Sequence, residues 1–328
     1  MTRRPRAMIL AAGFGTRLGE LTQARPKPML PICGAPLVRW AALWLRAQGV
    51  RELVINLHHL GEQIEAELGD GSALGLAIAY SHEDGLILGT GGGLRQAKSL
   101  LDDGHDSPII VVNGKILVDL DLAPVLDAHA RREAEATMVL RADAEGVWGG
   151  SLAADPSSGT LATFLGRQRP DAQPGPAMMF TGIHVIQPRF IDRVPATGEQ
   201  CIVRTAYRQL FDEPRGIDVH THAGYWWEHS TQPRYLQGIA NVLDGRAALP
   251  WAERPVIGVD ASATIAAGVE LDARIFVGPG ATIGADTRVG PHVQIGAGAI
   301  VAPGLHLERA AVWPGARLDH DLIDAVQI

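Results

Sequence analysis

Only two of the 328 residues are cysteine, Cys33 and Cys201, and neither sits in a CxxC or metal-like spacing. No disulfide framework is expected, and a reducing cytoplasm is the compartment that fits. A long apolar run is also lacking near the N-terminus. There Arg3, Arg4 and Arg6 precede a strand about five residues long, far short of a signal-peptide core or a membrane span. Those arginines read as a solvated N-terminus, and no membrane partner is expected. Beyond them the chain has no basic cluster, and its formal net charge is −7. A polyanion would be repelled, which argues against nucleic-acid binding.

What is present suits a globular protein with a large core. Hydrophobic residues make up 46% and charged residues 20% of the chain, against wholesale disorder, and the length suits two domains. Apolar runs over 7–13, 51–57, 76–80, 108–113, 137–141 and 180–186 read as strands. Between and after them, helical spacings cover 36–48, 61–68, 89–100, 121–132, 202–210 and 232–243. This alternation predicts an α/β fold built on a doubly wound, mainly parallel, Rossmann-like sheet. Residues 148–180 loosen the pattern, with a hairpin turn over 155–159 and a polar loop over 169–176, as an insertion bordering a site would. Pro250 and Pro255 mark a boundary, so the expected domains are 1–245 and 246–328.

Past that boundary the period changes. Aliphatic residues recur every six positions from Val259 to Leu307, with Trp313 completing the ladder, and a second column runs four residues behind from Ala263 to Ala311. A six-residue period held this long is neither α-helical nor strand-like; it is the repeat of a parallel β-helix whose turns share one aliphatic stack. Nine hexads predict three triangular coils. Such modules associate side by side or end to end, and a homo-oligomer through the β-helix is expected.

The stretch Met8 to Leu18 reads as a buried strand entering a glycine turn. Ala11, Ala12, Gly13 and Gly15 let backbone N–H groups approach an anion, while Arg17 and Lys27 add charge, the latter held between Pro26 and Pro28. A dinucleotide fingerprint fails at Leu18, where a third glycine is needed, and Gly114-Lys115 lacks the rest of a P-loop.

Leu10-Ala-Ala-Gly-Phe-Gly-Thr-Arg-Leu18 followed by Pro26-Lys-Pro-Met-Leu-Pro31 resembles the signature of the sugar-1-phosphate nucleotidyltransferases. The resemblance continues through Leu88–Leu94, Val111–Gly114, Phe180–Ile183 and Tyr225–Trp227, and covers nearly the whole chain. It implies a C-terminal left-handed β-helix. The implied activity is transfer from a nucleoside triphosphate to a sugar 1-phosphate, giving an NDP-sugar and pyrophosphate, with Mg²⁺ as cofactor. By the same resemblance Ala11, Ala12, Gly13, Gly15 and Thr16 face the nucleotide, Arg17 the β,γ-phosphates and Lys27 the α-phosphate. Gly89, Thr90, Gly91 and Asn113 border the nucleoside, and Thr181 and Gly182 lie along the sugar.

The pattern then departs. Where the family presents Asn-Gly-Asp, with the Asp on Mg²⁺, this chain has Asn113-Gly114-Lys115, and the second metal carboxylate falls at Glu228. A charged lysine repels a metal rather than holding one. Asp119 and Asp121 lie past Lys115 and read as caps of the next helix. The usual Glu-Lys pair on the sugar phosphate is missing, leaving Arg167 and Arg169 as substitutes. Lys115 either takes over charge neutralisation as a candidate catalytic residue, or the fold is a silenced nucleotide or nucleotide-sugar sensor. A third reading, a hexapeptide acyltransferase, would use His292 or His306. His58-His59, His220 and His222 read as structural. His229, beside Glu228, stays open between packing and phosphate contact.

Overall fold

The computed structural model describes residues 4–328, so Arg3 lies outside the described residues. The chain forms two compact units. The first holds the described residues through Gly13 with Trp44–Gly114 and Leu120–Gly224; the second holds Phe14–Leu43, Lys115–Asp119 and Tyr225–Ile328.

The first unit is built on a seven-stranded sheet. Its strands are β1 (Arg6–Leu10), β2 (Glu52–Leu57), β3 (Ala77–His82), β4 (Ile109–Asn113), β5 (Ala136–Ala142), β6 (Met178–Ile186) and β7 (Asp218–Thr221). Their order is β7-β5-β6-β4-β1-β2-β3. Successive side chains of β1 and β4 are all solvent-inaccessible, Ala7 to Ile9 and Ile109 to Val112, so both faces of the sheet are covered and the strands read as continuous apolar runs. β1 pairs in parallel with β2 and β4, as expected, but β6 runs antiparallel between β4 and β5. An apolar run does not carry its direction, so the sequence did not reveal this reversal. The longer helices are α1 (Leu37–Ala47), divided between the units at Trp44, α2 (Gly61–Leu68), α3 (Gly89–Gln96) and α4 (Ala123–Arg131) in the first unit, and α5 (Gln232–Leu243) in the second. Neither Asp119 nor Asp121 caps α4, whose N-cap is Leu122 with no side-chain bond; Asp121 instead accepts from the Ala123 N–H two residues on, in the turn that leads into the helix. The turn over 155–159 does close an antiparallel pair, Ala153–Ala154 with Leu161–Phe164. At the N-terminus Arg6 pairs with Glu52 across β1 and β2 at 2.8 Å.

The second unit carries the parallel β-helix. Three faces hold five, four and four strands, more than the three coils expected. Val277 pairs with Ile295, 18 residues on, but Ile295 pairs with Val312, 17 on, and Val312 with Gln327, 15 on. The later coils are shorter, so a strict six-residue count loses them. One consequence is a correction: Val312, not Trp313, continues the inward stack. Trp313 instead donates from Nε1 to the Tyr235 hydroxyl at 3.0 Å.

That contact belongs to a buried polar knot centred on Gln294, in the β-helix strand Val293–Ile295. Gln294 Oε1 accepts from the Cys33 N–H at 2.9 Å, and Nε2 donates to the Pro31 carbonyl at 2.8 Å and to Tyr235 Oη at 3.0 Å. Tyr235, from α5, donates in turn to the Pro31 carbonyl at 2.7 Å. The segment just after Lys27 is thereby tied to the β-helix and to α5. Gln294→Leu leaves a buried N–H, a carbonyl and a hydroxyl each short of a partner, and we expect a loss of about 2–4 kcal/mol. Urea unfolding of the two proteins side by side measures it.

Candidate functional site

In the second unit the loop after Gly13 makes a short 3₁₀ turn over Thr16–Leu18, with Gly15 in the left-handed region at φ 72°. Thr22 Oγ1 donates to the Gly15 carbonyl at 3.3 Å and to the Gly19 carbonyl at 3.0 Å, closing the loop on itself. Thr16 and Arg17 stand exposed. Lys27 opens a second 3₁₀ turn, Lys27–Met29, entered from the extended Pro26. Its side chain is pushed down to about 8, first by burial and then by the charges of Lys115 and Arg17, with Glu228 pulling the other way.

Lys115 is the turn residue just before the strand pair Ile116–Val118 with Trp226–Glu228, whose register sets Glu228 opposite Ile116. His229 N–H donates to the Lys115 carbonyl at 3.0 Å, and the His229 ring approaches the same carbonyl through Nδ1 at 3.1 Å. The backbone of Lys115 is thus fixed, and its Nζ lies 2.7 Å from Glu228 Oε2. Arg17 and Arg234 each come within 3.9 Å of the other carboxylate oxygen. Burial pushes the Glu228 carboxyl up, but Lys115, then a Ser230 hydrogen bond and then Arg17 outweigh it, and the group is held below its ordinary value. Four cations, Arg17, Lys27, Lys115 and Arg234, therefore surround one carboxylate.

His229 is a packing residue. It is fully buried, its ring is pushed down to about 4 by burial, and a Cβ on Gly238 of α5 would lie 2.1 Å from its Nε2. Only a glycine there leaves room for the ring. The neutral imidazole fixes Lys115 rather than meeting phosphate.

The first unit holds the remaining candidates. Ala11 and Ala12 are buried and Gly13 exposed. The Ala11 N–H donates to Asn56 Oδ1 at 2.8 Å, Asn56 Nδ2 donates to Glu83 Oε1 at 2.6 Å, and Glu83 Oε2 accepts from the Leu88 N–H at 2.7 Å. This chain of bonds couples the loop after β1 to the start of α3. Gly91 N–H donates to the Gln200 carbonyl at 2.7 Å, with Gly89 close to the same carbonyl, and Thr90 Oγ1 accepts from the Ile202 N–H. These three residues therefore seat the 200–202 segment. Thr181 Oγ1 donates to the Val139 carbonyl at 2.7 Å, and β6 bulges between Phe180 and His184. Within the bulge Gly182, at φ 79°, lies against Asn113, whose Nδ2 would be 2.1 Å from a Cβ there. The structure thus brings Asn113 and Gly182 together. Arg169 sits elsewhere, donating to the carbonyls of Phe211, Glu213 and Pro214 beyond the short helix Arg208–Asp212, and Arg167 pairs with Asp212 at 2.7 Å. In the β-helix His292 is bound to Asp244 at 2.7 Å.

Sequence reading missed Arg234, Asn56 and Glu83. Arg234 stands three residues past the Thr231 cap of α5, a position that carries no motif, and the two polar residues at strand ends gain meaning only when β2 lies between β1 and β3.

A divalent metal does not fit the cation cluster. Among the described residues no three His, Cys, Asp or Glu side chains gather as a metal-holding group. The one carboxylate of the cluster already faces an ammonium and two guanidiniums, where a hard cation needs a shell of oxygens.

A profile of the nucleotidyl transferase family matches residues 6–196. The chain is 30% identical over 248 residues to the UTP–glucose-1-phosphate uridylyltransferase of Synechocystis, covering 73% of this chain and 63% of that one. It is 34% identical over 237 residues to the N-acetylmuramate alpha-1-phosphate uridylyltransferase of Neisseria meningitidis, covering 72% and 97%. It is 33% identical to a mannose-1-phosphate guanylyltransferase of Mycobacterium tuberculosis, covering 74% and 66%. The chain thus spans just under two-thirds of the first and third of these proteins. A solved structure from Bacillus anthracis, described as a glucose-1-phosphate thymidylyltransferase, shares the fold with a TM-score of 0.58 at 19% identity, over 72% of this chain and 94% of that one.

Gly182→Ala forces a Cβ into the space of Asn113 from a left-handed backbone. We expect it to lower stability by about 1–3 kcal/mol, read as a shift of the denaturant midpoint.

Proposed function

Since the chain belongs to the nucleotidyl transferase family, we propose that it joins a nucleoside triphosphate to a sugar 1-phosphate, releasing pyrophosphate and an NDP-sugar. The observation that carries this reading is the group of Arg17, Lys27, Lys115 and Arg234 around a single carboxylate. It is a place for a polyanion, built from the loop whose sequence suggested a phosphate.

In the proposed reaction a phosphate oxygen of the sugar 1-phosphate attacks the α-phosphorus. A P–O bond forms there as the bond to the β-phosphate bridge breaks, and pyrophosphate leaves with that oxygen. No covalent intermediate on the protein is required, and catalysis consists of alignment and charge neutralisation. Arg17 neutralises the leaving β,γ-phosphates and Lys27 the α-phosphate. Ala11, Ala12, Gly13, Gly15 and Thr16 hold the nucleotide, Gly89, Thr90, Gly91 and Asn113 border its nucleoside, Thr181 and Gly182 lie along the sugar, and Arg167 and Arg169 take its phosphate once released from Asp212 and from the carbonyls of Phe211, Glu213 and Pro214. Residues 1–245 form the transferase module and 246–328 an assembly module through which copies associate, in the cytoplasm. The relatives are named as transferases, which favours turnover over a silenced binding role.

Pyrophosphate release measured over UTP, GTP and dTTP against glucose, mannose and N-acetylmuramate 1-phosphates tests the proposal. Turnover is expected for one pairing, and Arg17→Ala is expected to lower its kcat/KM by about 10²–10³-fold. No release from any pairing would overturn it.

A further inference from the structure

We propose that Lys115 is the built-in cation of this phosphate site, so that the cluster takes a nucleoside triphosphate without a divalent metal and Glu228 serves as the counter-ion that the triphosphate displaces. The inference rests on the transferase reading above and concerns how the site holds its charge.

Three observations carry it. First, Lys115 is not a loose surface lysine. Its carbonyl is engaged by both the backbone and the ring of the buried His229, its residue leads into a paired strand, and its side chain is only 24% exposed. A backbone held this firmly roots the ammonium within reach of one small region. Second, that region already contains an anion. Glu228 Oε2 lies 2.7 Å from Nζ, and the same carboxylate draws Arg17 and Arg234 to 3.9 Å. With Lys27, four positive charges face one negative charge, an excess of three. The excess matches a triphosphate far better than it matches a single carboxylate, and a carboxylate is the side chain closest in charge and geometry to a phosphate oxygen pair. Third, the donor set is wrong for a metal. A divalent ion bound to Glu228 would sit within a few Å of the Lys115 ammonium, and among the described residues no three His, Cys, Asp or Glu side chains gather to hold one.

The four-carbon stem of lysine lets Nζ swing from Glu228 to an α-phosphate oxygen as the triphosphate arrives, whereas Glu228 is tethered to its strand. Lys115 moves no proton and breaks no bond; it offsets charge on the α-phosphate as the sugar phosphate oxygen enters and pyrophosphate leaves. A lysine carries one positive charge where a metal carries two, so a slow transferase is the natural outcome.

The test uses the full chain and three probes: UTP and GTP, each titrated calorimetrically in EDTA and in Mg²⁺, and Mn²⁺ alone followed by electron paramagnetic resonance. We expect a nucleotide to bind in EDTA, with affinity changed less than about threefold by Mg²⁺, and no Mn²⁺ uptake at micromolar concentration. Lys115→Met should lose the EDTA affinity by at least about tenfold, Lys115→Arg should keep most of it, and Lys115→Asp should acquire Mn²⁺ binding and a need for Mg²⁺. Nucleotide binding to the wild-type protein only with Mg²⁺, or Mn²⁺ taken up by that protein, overturns the inference and leaves the transferase reading standing. Tight metal-free binding with no pyrophosphate release from any pairing does the reverse. Because the decisive titrations are on the unaltered chain, a variant that fails to fold does not remove the test.

Discussion

Like charges do not gather unless something holds them, and the site of this protein is defined by four cations that would otherwise separate. Lys27 shows the strain most plainly, since its pKa is pushed down to about 8 by burial and by Lys115 and Arg17. Glu228 relieves part of the repulsion, but one carboxylate does not neutralise four cations. The remainder is borne by the backbone around the cluster. The strand pair sets Glu228 opposite Ile116, the residue after Lys115, the neutral His229 locks the Lys115 carbonyl from two atoms, and Gly238 makes room for that ring. A site that stores unbalanced positive charge is poised for an anion, because binding one releases the repulsion.

Lys27 is held from the other side. The turn that follows it ends in Pro31 and Cys33, whose carbonyl and N–H are taken by Gln294 of the β-helix, with Tyr235 of α5 closing the set. The β-helix is therefore more than a stack of aliphatic rungs. One of its rungs carries an amide that takes the Pro31 carbonyl and the Cys33 N–H, just past Lys27, and a half-satisfied version of this knot would be worse than an apolar one. The path from Gln294 through Pro31 to Lys27 gives the hexad domain a direct part in placing charge.

Much of this was legible in the sequence. The two cations of the opening loop stand out because they flank a glycine turn after a buried run, and the hexad ladder because no other structure has its period. Boundaries of α2 and α5 fell where the spacing put them. Other features depend on what lies beside what. The reversed direction of β6 cannot be read from an apolar run buried on both faces, and the shortened coils hid Val312 behind Trp313, one residue away. Arg234 and the Asn56–Glu83 relay carry no spacing signal; they acquire roles when α5 meets the strand of Glu228 and when β2 pairs with β1 on one side and β3 on the other. Lys115 was visible as a departure from a pattern, while the structure adds the partner that gives it a position.

The central claim is that the ammonium of Lys115 changes partner when nucleotide arrives. A crystal structure of the protein grown with a nucleoside triphosphate in EDTA measures this directly. The account predicts Nζ within about 3 Å of an α-phosphate oxygen and withdrawn from Glu228, with Arg17 on the outer phosphates. A triphosphate bound while Lys115 remains on Glu228 would contradict it.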